Sequence, residues 1–410
     1  MTRQHRLNLE SLLPTSGRGS ADGEPLVAPI VQSTTFCRDG IASEAAHAYS
    51  RQSNPTVAAL ERALGALEEA PPAVCYSTGL AAETALFLTV LRAGDHVVCS
   101  EALYGGTTRL LEQVFTGPGV ETDFVDTTDV EAVRAALRPN TALVFLETPS
   151  NPTLAITDVR AVARLARARG ALVAVDNTFL TPLLQQPLDL GADVSVYSTT
   201  KFVEGHSAAL GGALVARDEA LLERLRFVRT ASGGIQTPFH AWLTLQGVKT
   251  LGVRLERQCA SASAIAERLA ARPDVRRVHY PGLDAGPARE TAERQHLGAH
   301  GAVLSFEVDG GLERAKNVAL GVRVPRLVEH VGGLESLLTH SATMTHGGVS
   351  REHRERVGVT DGLLRLSVGI EPGEAIFDDL ERALDAASLR QESSHKGPSS
   401  QQEVSTCSAV

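Results

Sequence analysis

Short apolar runs alternate with amphipathic stretches through the first half of the chain, and this alternation constrains the fold most. HVVCS (96–100), ALVFLE (142–147) and ALVAVD (171–176) are too short to cross a core as helices and are apolar on both faces. Between them lie segments such as DVRAVARLARARG (158–170), whose apolar residues recur at helical spacing. Strands buried on both faces and joined by helices predict an α/β fold with a mostly parallel sheet flanked by helices. TVAALERALGALEEA places Val57, Leu60, Leu64 and Leu67 on one stripe, with Asn54 as cap and Pro55 at the first helical position. Residues 1–60 mix Gly, Pro and Ser with short apolar pieces and predict an arm laid over something else.

Further along, PFHAWLTLQGVKTLGVRLERQCASASAIAERLAARP (238–273) predicts a helix running across a boundary near residue 255 and stopping at Pro273. GAVLSFEV (301–308) and LLRLSVGI (363–370) read as strands, and EAIFDDLERALDAASLRQ (374–391) reads as a closing helix. The expected division is an arm (1–60), a larger domain (61–255), a smaller α+β C-terminal domain (256–391) and a disordered tail (392–410).

Charge excludes some partners. With 39 Lys+Arg against 48 Asp+Glu, the formal charge of −9 gives no general attraction to nucleic acid or anionic lipid. No apolar run reaches the roughly 18–20 residues of a membrane span, and no signal-peptide core opens the chain. Five scattered cysteines lack CxxC spacing, which argues against a disulfide framework or a zinc site and for the cytoplasm. His296 and His300 stand four residues apart but without the glutamate of a metalloprotease helix, so no metal is expected.

The chemistry concentrates in three stretches. SVYSTTKFVEGHS (195–207) begins as a strand and breaks into hydroxyls, a lysine and a glycine. Ser198 and Thr200 can donate to a phosphate, and a desolvated Lys201 can form a Schiff base; a polar strand end with a solvated lysine is the plainer alternative. In VAVDNTF (173–179), Asp176 ends an apolar strand, where α/β proteins bind ligands, although a turn or cap aspartate looks the same. YSTGLAAETALFL (76–88) turns from strand to helix at Gly79 and Leu80, whose amides form an anion site of a common kind. No GxGxxG or Walker A pattern occurs, which counts against a nicotinamide dehydrogenase.

The segments AYSRQSNPTV, LYGGT, ETPSNP, VDNTFLTP, STTKFVEGHS, GGLESLLTHSATMTH and LLRLSVGIE run in the same order as blocks of a known family. From about residue 27 to 390 the sequence resembles the Cys/Met-metabolism family of pyridoxal phosphate enzymes, which contains cystathionine γ-synthases, cystathionine γ- and β-lyases, methionine γ-lyases and homoserine-ester sulfhydrylases. The resemblance implies fold type I, the aspartate aminotransferase-like architecture, with pyridoxal 5'-phosphate as cofactor. It implies Lys201 as the Schiff-base lysine, Asp176 at the pyridine nitrogen, and Ser198, Thr200, Gly79 and Leu80 at the phosphate. It implies Tyr104 stacked on the ring and active in proton transfer, with Tyr49 and Arg51 reaching the phosphate of a neighbouring subunit. Asn151 and Arg365 would meet the substrate carboxylate, and homotetramers built from obligate dimers are implied.

Several positions depart from the family pattern. His330 stands where a serine is usual, near lysine and substrate carboxylate; Ala208, Thr108 and His240 replace an Asp, a Tyr and an Asp or Asn. Gly106 occupies the position of the methionine γ-lyase cysteine, which weighs against methionine as the substrate, and Arg109 could meet a distal carboxylate. The expected activity is γ-elimination or γ-replacement on an O-acyl-homoserine or cystathionine-like amino acid. Elimination from another 4-substituted amino acid, for example a halogenated one, and cystathionine β-elimination are the alternatives. A pseudoenzyme that keeps only the fold is the non-enzymatic one.

Overall fold

The computed structural model describes residues 3–19, 21–41 and 44–395. Seven strands form the first sheet: β1 (Val74–Tyr76), β2 (His96–Ser100), β3 (Glu121–Val125), β4 (Thr141–Glu147), β5 (Leu172–Asp176), β6 (Val194–Tyr197) and β7 (Gly212–Ala216). Their order is β1-β7-β6-β5-β4-β2-β3, with β7 alone running against its neighbours β1 and β6. β2, β4 and β6 are buried along their whole length or nearly so, as expected of a sheet covered on both faces. Its two faces pack into separate apolar clusters: Phe87, Phe145 and Leu214 on one side, Val144, Val162 and Val175 on the other.

A second sheet follows, with β8 (Val275–His279), β9 (Val303–Val308), β10 (Arg326–Leu327), β11 (Leu337–His340) and β12 (Leu363–Ser367) in the order β10-β11-β12-β9-β8. The helices Leu251–Ala270, Gly311–Gly321 and Gly373–His395 cover it around Leu304, Phe306, Leu364 and Leu380. The expected α/β architecture with a smaller C-terminal α+β unit is the one observed.

Local signals hold where they rest on a cap. Asn54 Oδ1 accepts from the Thr56 amide at 2.9 Å, and the helix Pro55–Leu67 buries all four expected apolar residues. Three expectations change. Residues 238–273 form two helices, Pro238–Lys249 and Leu251–Ala270, broken at Thr250. At the break the Gly247 carbonyl accepts from the Thr250 amide at 3.2 Å and from Arg254 Nη2 at 2.7 Å. The opening arm contains a helix, Arg3–Leu12, and Leu9 and Leu13 are buried in the large-sheet core. The closing helix runs to His395, and the remainder of the expected tail, 396–410, lies outside the described residues. Among the described residues no helix is long and apolar enough to cross a membrane.

Candidate active site

The carboxyl ends of the parallel strands open into a cavity of about 440 Å³. Its lining includes Gly79, Leu80, Tyr104, Asn151, Asp176, Ser198, Thr200, Lys201 and Arg365, so the structure brings nine of the twelve expected residues together. His330 joins them through Lys201, as described below. Tyr49 and Arg51 do not line the cavity. They lie exposed, with the Arg51 guanidinium 5.3 Å from the Tyr49 ring centre and Nη1 donating to the Thr230 carbonyl at 2.7 Å.

Lys201 sits in the turn after β6, and two contacts fix that turn. Arg254 Nη1 donates to the Phe202 carbonyl at 2.8 Å. From the second sheet, Gly332 presses its backbone on the Lys201–Phe202 peptide: a Cβ there would fall 2.5 Å from the Phe202 nitrogen, and its φ of +82° also suits glycine. Lys201 Nζ lies 3.1 Å from His330 Nδ1. Burial first, and the Arg365 charge second, pull the amine down to about 8. Burial, Lys201 and Arg365 hold the His330 ring down at about 4, so the imidazole is neutral and accepts from the amine.

Three acids line the same cavity. Asp176 ends β5 and is in register with Glu147 at the end of β4, while Glu83 reaches in from the helix Gly79–Val90. Asp176 Oδ1 accepts from the Thr178 amide at 2.8 Å, Glu147 Oε2 from the Tyr104 amide at 2.8 Å, and Glu83 Oε2 from the Thr107 hydroxyl at 2.8 Å. None of the three has an ion-pair partner among the described residues. Burial raises all three carboxyls, Glu83 to about 8, and the Asp176 charge raises Glu83 and Glu147 further. Glu83 and Glu147 were not anticipated. A lone carboxylate inside the apolar stretch GLAAETALFL was the available signal for Glu83, and an acid closing the apolar strand TALVFLE was the signal for Glu147.

The anion site is a helix start. Thr78 caps Gly79–Val90 by accepting from the Ala81 amide, which leaves the first-turn amides of Gly79 and Leu80 without intrahelical acceptors. Glycines let this start approach the lysine turn: a Cβ on Gly79 would lie 2.9 Å from Ser198 Cβ, and one on Gly212 would lie 2.2 Å from the Thr78 carbonyl oxygen. Arg365, on β12, is 3 % exposed. It donates to Asn151 Oδ1 at 2.7 Å, Thr339 Oγ1 at 3.2 Å and the His330 carbonyl at 3.4 Å. No carboxylate pairs with it among the described residues, and its Nε has no partner there.

Of the departing positions, Gly106 and Arg109 line the cavity. Ala208 is exposed, its amide donating to Glu204 Oε2, and the His240 amide donates to the Thr237 hydroxyl in a first helical turn. His296 and His300 meet through their Nδ1 atoms at 2.9 Å, away from the cavity.

A buried amine, a helix start with open first-turn amides and a carboxylate without a cation meet at one crevice. The family model for Cys/Met metabolism PLP-dependent enzymes matches residues 15–385. The chain belongs to this family. It is a pyridoxal-phosphate-dependent enzyme of trans-sulfuration type. It is 43 % identical over 382 residues to the cystathionine beta-lyase of Bacillus subtilis (strain 168), covering 93 % of this chain and 97 % of the relative. It is 45 % identical over 357 residues to the cystathionine gamma-synthase of Mycobacterium bovis, covering 87 % and 91 %. The crystal structure of cystathionine gamma synthase from Xanthomonas oryzae pv. oryzae in complex with aminoacrylate and cysteine superposes with a TM-score of 0.90 at 40 % identity, covering 93 % of this chain and 98 % of that one.

Proposed function

We propose that the enzyme catalyses γ-elimination or γ-replacement on a γ-substituted L-amino acid of O-acyl-homoserine or cystathionine type. The observation that carries this reading is Arg365, a buried guanidinium without a carboxylate, in the same cavity as a low-pKa lysine. Burying that charge is costly unless an anion completes it, and the carboxylate of an amino acid does so with two parallel hydrogen bonds.

The residues present fit pyridoxal phosphate. The first-turn amides of Gly79 and Leu80, with Ser198 and Thr200, would hold the phosphate. Asp176, a carboxylate among carboxylates, would hold the ring nitrogen, and a cation there relieves the repulsion from Glu83 and Glu147. Tyr104 would cover the ring, and Lys201 would hold the aldehyde. When bound, the cofactor supplies an electron sink that lets a carbanion form at the α-carbon of the amino acid.

The protein's own part follows from the geometry. Arg365 and Asn151 fix the substrate carboxylate, which aims the α-hydrogen. Lys201, neutral above about pH 8, takes the α-proton and returns a proton during the later steps. Tyr104, which lines the cavity, assists proton transfer, and expulsion of the γ-group leaves room for a thiol or for water. Arg109 meets a distal carboxylate where the leaving group carries one. Cystathionine β-elimination is the second reading, favoured by the 43 % identity to a beta-lyase along nearly the whole chain.

We also assign Tyr49 and Arg51 to the phosphate site of a partner subunit, in a homotetramer built from dimers. Both lie outside this chain's own cavity, and Leu26, Val27, Ile30 and Ile41 leave apolar side chains exposed along the same arm. Residues 61–255 then form the cofactor-binding domain and 256–391 the smaller one, in a cytoplasmic enzyme. A panel of O-succinylhomoserine, O-acetylhomoserine, cystathionine, methionine and 4-chloro amino acids, with and without cysteine, tests the reaction class. Release of 2-oxo acid or formation of thioether from γ-substituted substrates is expected. Turnover of β-substituted substrates alone overturns the γ reading.

A further inference from the structure

The helix Leu251–Ala270 carries two buried polar side chains one turn apart, Arg254 and Gln258, and neither lines the cavity. Arg254 grips the lysine turn: Nη1 donates to the Phe202 carbonyl at 2.8 Å and Nη2 to that of Val203 at 3.4 Å. Gly205 leaves room for this grip, since a Cβ there would collide with the guanidinium. Gln258 grips the other half of the site, with Nε2 donating to the carbonyls of Gly333 at 2.9 Å and Val368 at 3.0 Å. Val368 directly follows β12, three residues beyond Arg365. Gly333 follows the glycine whose amide donates to Ser367 Oγ at 2.9 Å and whose backbone abuts the Lys201–Phe202 peptide. One helix face therefore holds both the turn that bears the amine and the strand that bears Arg365. A buried guanidinium whose partners among the described residues are carbonyls and the Thr250 hydroxyl is a costly way merely to fill space.

We propose that Arg254 and Gln258 are positioning residues that set the separation between Lys201 and Arg365. This rests on the amino-acid reading above, in which the amine takes a proton from the carbon next to the carboxylate that Arg365 seats. Lys201 follows β6 of the first sheet and Arg365 lies on β12 of the second, so the ladder of neither sheet fixes how far apart they stand. The bond to Asn151 holds the tip of the Arg365 side chain, and the helix holds the backbone that carries it. The i, i+4 spacing of Arg254 and Gln258 is rigid, and each ties carbonyls close in sequence to a functional side chain rather than that side chain itself. A misplacement of about 1 Å between amine and α-hydrogen is enough to cost roughly 100-fold in rate.

The test uses Gln258→Met, which keeps the length of the side chain and removes its donors. Burial and the Arg365 charge hold the Lys201 amine down, and both weaken if the two halves slacken. The pH midpoint at which apoprotein captures pyridoxal phosphate should therefore rise by about half a unit, so that capture at pH 7 slows about threefold. The titratable groups around the amine, His330, Arg365 and the cavity acids Glu83, Glu147, Asp176 and Glu329, all remain in the variant. Leu269→Ala, which empties part of the second-sheet core at the far end of the same helix, should lower the melting temperature and leave the midpoint in place. With substrate, Gln258→Met should lower kcat/KM about tenfold and have no further effect in an Arg365→Lys background. An unmoved midpoint, an equal shift in Leu269→Ala, or a kcat/KM effect undiminished beside Arg365→Lys overturns the inference. Arg254→Lys, read in the same way, replaces Gln258→Met if that variant does not fold. The midpoint needs no substrate, so a wild-type enzyme inactive on γ-substituted amino acids would sink the amino-acid reading, while an unmoved midpoint would sink the positioning.

Discussion

Arg365 donates to the side-chain oxygen of Asn151 at 2.7 Å, joining a strand of the second sheet to the loop that follows β4. The planar fork fills this place where a lysine would not. Arg365→Lys should lower kcat/KM by about 100-fold, the scale of two charge-assisted hydrogen bonds, chiefly through KM. Borohydride trapping of pyridoxal phosphate on Lys201 should persist. Steady-state kinetics decide, and an unchanged KM would remove Arg365 from the carboxylate site.

Glu83 gives a stability signature. Its carboxyl is raised from 4.5 to about 8, so the folded apoprotein keeps a proton that the unfolded chain releases across that window. Stability therefore falls as pH rises from about 4.5 to 8. Glu83→Gln keeps an acceptor for Thr107 and removes the titration, so the variant should melt on the order of 2 °C higher than wild type at pH 8.5. The two should converge near pH 4. Parallel melting curves at every pH would place the charge of Glu83 elsewhere.

Gly106 carries the Tyr104 ring. A Cβ at position 106 would come 2.3 Å from Tyr104 Cε1, so Gly106→Cys must displace the ring. Loss of its cover and of its proton transfer should cost kcat tenfold or more. Pyridoxal phosphate affinity, measured by titration of the apoprotein, should weaken as well. A variant with wild-type kcat would show that the ring at 104 has no part in the reaction.

Cofactor capture reports the lysine directly. Only the neutral amine attacks the aldehyde, so the rate at which apoprotein captures pyridoxal phosphate should rise with pH through about 8, where an ordinary lysine would titrate near 10.5. Removing the positive neighbour in Arg365→Leu favours the ammonium and should move the midpoint upward. Lys201→Ala should capture none covalently. A midpoint unmoved by Arg365→Leu would exclude the guanidinium as a cause.

Much of this was legible in the residues. HVVCS is β2 to the residue, and the Asn54–Pro55 helix start was written in its cap. The lysine turn and Asp176 were each ambiguous alone and became specific through the order of their blocks, and the Gly79 helix start took its role from the resemblance those blocks carry. What remained hidden depends on contacts distant in sequence. The Arg254 bond to the Phe202 carbonyl, 52 residues away, and the burial of Leu9 and Leu13 in a sheet core formed far downstream, leave no local periodicity. Glu83 and Glu147 could be seen as oddities, but not that they would line the same crevice as Asp176.

The peptide of Lys201 is held by Gly332, and its amine meets His330, 129 residues later in the chain. The basicity of the reacting amine is thus set in part by the C-terminal third. A chimera that joins residues 1–320 of this enzyme to the corresponding remainder of a serine-bearing relative should inherit that relative's lysine acidity along with its carboxylate grip. Exchange of segments between relatives would then be a route to retuning the acid–base balance of the crevice without touching a single residue of the sheet that bears the lysine.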